Sequence, residues 1–409
     1  MTSDPHVGRG GMAATPQLMR SLNEQLLLER LRTASPSSRP ELARATGLSK
    51  PTVAQALAAL EQAGLVHVAG HRTGLRGPTA LLYELRPDAV FVLGIDVGRE
   101  YVRGAVADIT GTIRAKLSRR VSGASARGRV AEVVALGREL VEATGARRRD
   151  ALPQTVVGTP GVLDQSRGAL RMAAHLPGWE QPQVLAELRE RLGPATVFEN
   201  DIDMAAVAER NHGHGRDAAT FAFVSVGTGI GMGVVIDGKL HRGAHGAAGE
   251  IAYLPLAPDD VDAREARHRG ALEAAVSSAA VVRAARAHGL DGRLSARRVF
   301  AQAAAGDERA RRVVAREAAL VARALASVVS IVDPELIVLG GGIGSADGFA
   351  ATVGEQLAAL APFVPEVRVS ALGEGAVVQG CLATARDLAW TRILRSRAEA
   401  AGAARATTA

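Results

Sequence analysis

The stretch "VSVGTGIGMGVVIDGKL" (Val224–Leu240) reads as a strand, a Gly-Thr-Gly turn at Gly227, Thr228 and Gly229, and a second strand. Such a turn can wrap backbone amides around a phosphate, or can simply keep a hairpin tight. The same form occurs earlier as "FVLGIDVGREYVRGAVADITGTI" (91–113), with Asp96 and Gly98 at its turn. Two hairpins of this kind, each leading a region with its own helices, predict a duplicated α/β domain whose ligand sits in the cleft between two lobes.

Working outward, 409 residues that are 47% hydrophobic and 22% charged suffice for two or three domains with sizeable cores. No apolar run reaches the roughly 20 residues needed to cross a bilayer, and the start "MTSDPHVGRGG" has no apolar core, so no membrane role and a cytoplasmic, nucleoid-associated location are expected. The single cysteine, Cys381, excludes an internal disulfide and a Cys-rich zinc site. The net charge of +7 permits nucleic-acid binding, but all basic residues except Lys50, Lys116 and Lys239 are arginines, which is as well explained by coding bias.

Ahead of the first hairpin, leucines at 18, 22, 26 and 27 recur at helical spacing, followed by the break "TASPSS". Ser38 is placed to cap a short helix "RPELARAT", Gly47 to make the next turn, and Ser49 to cap "KPTVAQALAALEQAG". On that third helix Val53, Leu57 and Leu60 share one face. Lys50, Thr52 and Gln55 stand at the exposed N-terminal end, where a recognition helix meets base edges. A strand, a basic Gly-rich tip and a strand follow in "LVHVAGHRTGLRGPTALLYEL", a wing whose Arg72 and Arg76 would reach backbone or minor groove. Residues 17–88 are therefore read as a winged helix-turn-helix, in which Lys50 and Gln55 read bases and Ser49, Arg72 and Arg76 fix the DNA backbone. A plain helical packing domain is the competing reading. Residues 1–16 and 396–409, small and polar, are expected to be unstructured tails.

Between 89 and 390 the segments "VGTPGVLD" (157–164), "HLPGW" (175–179), "FENDIDMAAVAE" (198–209), "GAAGEI" (246–251), "GALEAAVS" (270–277) and "VDPELIVLGGGI" (332–343) occur in one order. This order resembles the ROK family of repressors, open reading frames and kinases, in its repressor branch. The resemblance implies an actin/hexokinase-like (ribonuclease H-like) two-lobed domain after the winged helix. In the family's sugar kinases the Asn-Asp pair matching Asn200 and Asp201 holds the sugar, the aspartate acting as general base. A carboxylate is the right group for that, because it orients a poorly nucleophilic hydroxyl and accepts its proton. The same two residues also suit a helix N-cap. Further sugar contacts carried over by the resemblance fall on Glu250 and Glu273, with His175 and Tyr253 at positions where the family usually has other residues. Gly340, Gly341 and Gly342 match the family's adenosine side.

The departures are equally informative. Where family kinases have "DIGGT", this chain has "DVGRE", which puts Arg99 and Glu100 beside the position of a transferred phosphate. A carboxylate about 4 Å from a phosphate oxygen opposes it by roughly 4 kcal/mol at an effective dielectric constant near 20. Tyr253 replaces a metal histidine, and "DDVDAREARHRGALE" has no cysteine, so no zinc is expected; the HxH spacing of His212 and His214 lacks a third ligand. The glycine clusters are expected to be structural inheritance, with no catalytic residue, no cofactor, and ATP with magnesium only if kinase activity persists. The expected function is a sugar-responsive regulator, most simply a repressor, acting as a homodimer or homotetramer on an inverted-repeat operator and sensing a sugar or sugar phosphate. The alternatives are a bifunctional sugar kinase that also binds DNA, and a ligand-independent regulator controlled by a protein partner.

Overall fold

The computed structural model describes residues 16–72, 80–123, 125–145, 154–164, 167–173, 176–256 and 262–403. The expectations for Arg76 and His175 lie outside these residues. The chain forms two compact units, one of residues 92–107 and 113–386, the other of the remaining described residues.

In the latter unit, helices α1 (Pro16–Thr33), α2 (Arg39–Thr46) and α3 (Lys50–Gln62) are joined by strand β1 (Ser37–Ser38) and followed by β2 (Val66–Arg72) and β3 (Ala80–Leu85), in the sheet order β1-β3-β2. This is a winged helix-turn-helix. Its turn works as the sequence predicts: Gly47 takes φ +72 after α2, and the Ser49 hydroxyl accepts from the Thr52 amide at 3.3 Å to start α3. Val53, Leu57 and Leu60 are fully buried. On α1 the buried face is Leu27, Leu28 and Leu31, while Leu22 and Leu26, read as part of the apolar stripe, are both 43% exposed. Adjacent leucines at 26, 27 and 28 leave the stripe's phase ambiguous within one turn.

The other unit opens with β4 (Phe91–Val97), β5 (Tyr101–Asp108) and β6 (Ile113–Arg120), then α4 (Ala126–Glu142), β7 (Gln154–Thr159), the hairpin β8 (Val162–Asp164) and β9 (Ala169–Arg171), α5 (Pro182–Leu192) and β10 (Val197–Asn200). The five-stranded sheet runs β10-β7-β4-β5-β6, with β4, β7 and β10 parallel. After α6 (Asp201–His212) the pattern repeats with β11 (Phe221–Val226), β12 (Ile230–Ile236) and β13 (Lys239–Leu240). Helices α7 (Ala263–Arg269), α8 (Ala271–Ala275), α9 (Ser278–Ala287), α10 (Ala296–Ala304) and α11 (Glu308–Val332) precede β14 (Leu336–Gly340), α12 (Gly341–Gly344), α13 (Phe349–Ala358) and β15 (Glu366–Val369). The second sheet runs β13-β12-β11-β14-β15. Read outward from β4 or β11, both sheets carry a three-strand meander on one side and two parallel strands on the other, the expected duplicated ribonuclease H-like lobes. Strands β7 and β14 are both buried along their whole length; β14 reads accordingly as an uninterrupted apolar run, whereas β7 also buries Gln154, Thr155 and Thr159.

The last helix, α14 (Ala376–Ala403), corrects one expectation: residues 396–403 are helical rather than an unstructured tail. The part of α14 from Asp387 onward belongs with the winged helix, where Arg397 pairs with Glu24 at 2.8 Å and the Leu394 carbonyl accepts from Gln25. Among the described residues no helix is long and apolar enough to cross a membrane.

Candidate functional site

At the N-terminal end of α3, Lys50 and Gln55 are exposed, Thr52 is half-buried, and the Ser49 and Thr52 hydroxyls lie 2.8 Å apart within the cap. Lys50 and Gln55 thus remain available to a ligand, while Ser49 is engaged in starting the helix. Arg72, expected to reach the DNA backbone or minor groove, pairs with Glu41. Glu41 also accepts from the Ser38 amide, and that bond, with the Arg72 guanidinium second, draws its pKa down to about 2.

The second site is built where β10 hands over to α6. Asn200 caps α6, its Oδ1 accepting from the Ile202 and Asp203 amides at 2.8 and 3.0 Å and its Nδ2 donating to the Gly161 carbonyl at 3.2 Å. The helix-cap reading of Asn200 is therefore correct, and the cap aims the next residue, Asp201, from the positive end of α6. Glu250 is placed by Gly249, which sits at φ +88 with a Cβ position 2.0 Å from the Met232 carbonyl oxygen. No other residue fits there without moving β12.

These elements close around a cavity of ≈230 Å³ whose lining includes Asn200, Asp201, Glu250, Glu273 and Tyr253. Five of the six expected sugar-contacting residues thus come together; the sixth is His175. Gly98, Thr228 and Gly229 line the same space, whereas Asp96, Gly227 and Gly340–Gly342 do not. Glu273 is less available than Glu250, because its Oε1 pairs with Arg269 at 3.0 Å and its Oε2 accepts from the Ile230 amide at 3.3 Å. Sequence reasoning missed Arg269 and Ser225, both of which line the cavity. Arg269 ends α7 and Glu273 lies in α8 beyond Gly270 at φ +94, so no single helical run in the sequence announces the pair.

The cavity is crowded with carboxylates, and their pKa values rise accordingly. Burial, then Asp201 and Glu273, pushes Glu250 up to about 7. Burial also lifts Asp203 to about 7 against the pull of Arg242, with Glu199, Glu250 and Asp201 adding to the rise. Beneath them, buried Asp96 reaches about 7, raised by desolvation and Asp201 although Arg103 lies 3.6 Å away. Near neutral pH such groups exchange readily between donating and accepting, which suits a neutral ligand rich in hydroxyls.

The glycine turns divide into two kinds. Gly341 takes φ +77 with a Cβ position 2.5 Å from the Val226 carbonyl oxygen, and a Cβ on Gly340 would meet the Phe223 ring at 2.5 Å, so these two serve the fold. Gly227 and Gly342 do not. A Cβ at Gly227 would come no nearer than 3.4 Å to any neighbour, and one at Gly342 would meet nothing within 4 Å. The purely structural account of the clusters therefore covers only part of them. The two substituted residues of the first turn also separate: Arg99 lines the cavity, whereas Glu100 does not and faces a neighbouring one. Of the two substituted residues, Arg99 and not Glu100 thus adjoins the candidate cavity. Among the described residues no group of three or more His, Cys, Asp or Glu is placed to hold a metal ion.

Residues 20–67 match a winged helix-turn-helix DNA-binding family, and residues 92–387 match the ROK family. The chain is 23% identical to a "Xylose repressor" from Caldicellulosiruptor bescii over 90% of its own length and 96% of that protein's. Among solved structures, a ROK family transcriptional regulator described as a homologue of the E. coli MLC protein superposes with a TM-score of 0.73 at 20% identity, covering 93% of this chain and 99% of that one. A ROK hexokinase from Thermus thermophilus gives 0.60 at 27% identity, covering 72% and 97%. With a match spanning far more than half its length, preceded by a winged helix, the chain belongs to the ROK family.

Proposed function

We propose that this protein is a sugar-responsive transcriptional repressor in which the kinase-derived domain binds a sugar or sugar phosphate without transferring a phosphoryl group. One observation carries the reading: Asn200, Asp201, Glu250 and Glu273, drawn from separate elements, converge on one cavity in a chain that also presents the exposed Lys50 and Gln55 on a DNA-binding fold. The full-length likeness to a xylose repressor agrees with it. The protein acts as a homodimer or homotetramer on an inverted repeat, which matches two-fold protein symmetry to DNA.

A kinase reading is favoured by the open space at Gly227 and Gly342, where a nucleotide phosphate has room, and by Asp201, which would then accept the proton of the attacking hydroxyl. Magnesium would find Asp96 a poor ligand, because that carboxyl is buried, shared with Arg103 and raised to about 7. Arg99 further fills with a fixed cation a position the family's kinases leave to small residues. The test is to incubate the purified protein with ATP, magnesium and a panel of pentoses, hexoses and amino sugars, and in parallel to measure release of its operator by each sugar. Release without ATP turnover is expected; turnover abolished in Asp201→Asn would replace the repressor reading with the bifunctional one.

A further inference from the structure

Beside the sugar cavity lies a second one of ≈610 Å³, lined among others by Arg99, Glu100, Arg120, Ser122, Arg129 and Arg269. Arg99 and Arg269 belong to the walls of both, so the two spaces adjoin. Arg269 is neutralised by Glu273 and Glu265. The other three guanidinium groups make no ion pair among the described residues. Arg99 and Arg120 are exposed, and Arg129 is only 4% exposed, its guanidinium donating to the carbonyls of Gly98 and Arg99 at 2.6 and 3.2 Å. Burial depresses the Arg129 pKa and the charge of Glu132 offsets part of this, although Glu132 Oε1 itself accepts from the Ser122 amide and hydroxyl. A buried cation that makes no direct ion pair is costly, and an anion brought into the adjoining space would offset that cost.

Resting on the sugar-sensing reading above, we infer that this second cavity is an anion subsite that takes the phosphate of a phosphorylated sugar whose ring lies against Asn200, Asp201 and Glu250. Arg99, Arg120 and Arg129 line the space with one carboxylate, Glu100, while Glu132 acts on Arg129 from outside the lining; a positive surplus remains for a phosphate monoester, which carries about −1.5 to −2 at neutral pH. Arg129 braces the turn from below by holding two consecutive carbonyls, which fixes the backbone from which Arg99 projects. Arg99 stands where the spaces meet and contacts the ester from the sugar side, and Arg120 receives it from the outer side. Guanidinium groups suit the task because their planar donors grip phosphate oxygens in pairs. The sugar cavity, crowded with Asp201, Asp203, Glu250 and Glu273, would repel a phosphate, so the charge separation between the two spaces also sets the ligand's orientation.

The test compares glucose, xylose, N-acetylglucosamine and N-acetylmannosamine with their phosphate esters by calorimetry on the full-length protein, with inorganic phosphate as a ring-independent probe. At least one ester should bind about tenfold or more tighter than its parent sugar. In Arg120→Ala, an exposed and therefore tolerated change, the ester-to-parent ratio should collapse toward one, and Arg120→Lys should retain part of it. Millimolar inorganic phosphate should bind wild type saturably and compete with the ester, and should lose both properties in Arg120→Ala. An ester no tighter than its parent, or an advantage that survives Arg120→Ala, overturns the subsite. Arg120-dependent phosphate binding with no sugar or ester binding at all would leave the anion site standing and sink the sugar-sensing reading.

Discussion

At the scale of single residues, two carboxylates of the cavity and the buried Asp96 outside its lining are held in a state their sequence neighbours do not suggest. Glu250, Asp203 and Asp96 each have a folded pKa near 7 against ordinary values of 4.5, 3.8 and 3.8. Between roughly pH 4 and 7 the folded protein therefore binds more protons than the unfolded chain. The corresponding stability is fully present below the unfolded values and is lost as pH rises through about 7. For a coupled set of this kind the loss amounts to about 2 kcal/mol or more, so the ligand-free protein should melt several degrees lower at pH 8 than at pH 5.5. Glu250→Gln keeps the side chain's size and removes one titration, and should flatten that curve. A melting temperature that rises steadily from acid to alkaline pH in wild type would contradict the assignment. Asn200 and Asp201 were legible as site residues because they stand in one contiguous motif. The partnership of Arg269 with Glu273 and the division of Arg99 from Glu100 between two cavities were not, because burial and side-chain direction are decided by the packing of several distant segments.

At the scale of elements, the two glycine hairpins announced the duplicated lobes because their apolar runs and turn residues are local signals. The winged helix was legible for the same reason: Ser38, Gly47 and Ser49 are punctuation that acts within a few residues. The end of α14 was not. Its small residues carry no apolar stripe, yet alanine-rich sequence continues a helix at little cost, and packing against α1 supplies the rest. Trp390, 5% exposed, Arg397 and the Leu394 carbonyl all serve the unit that contains α1. Removing residues 387–409 should destabilise that unit by about 3–5 kcal/mol, the usual cost of losing a buried tryptophan. Thermal unfolding and operator affinity of the truncated chain measure this directly. Unchanged melting with undiminished DNA binding would show the segment to be dispensable.

At the scale of the whole molecule, sensing and DNA binding lie in separately built units, so a ligand acts only through a difference in its affinity for the operator-binding and operator-free conformations. A near-complete switch requires roughly a 10⁴-fold preference, and a weaker one gives partial release at saturation. This separates two classes of substitution. Losing one cavity carboxylate removes a charge-assisted hydrogen bond worth about 1.5–3 kcal/mol, a shift of tenfold or more in the ligand concentration that releases DNA. It leaves the recognition helix untouched. Asp201→Ala and Glu250→Ala should therefore bind operator as wild type does without ligand, while their release curves move to higher ligand concentration, each reaching the wild-type plateau only if the remaining contacts still favour the same conformation. A lowered plateau at saturating ligand would mean that the lost carboxylate selects the conformation as well as holding the sugar. Curves that do not move for either variant would remove the cavity from the sensing mechanism and make control by a protein partner the better account.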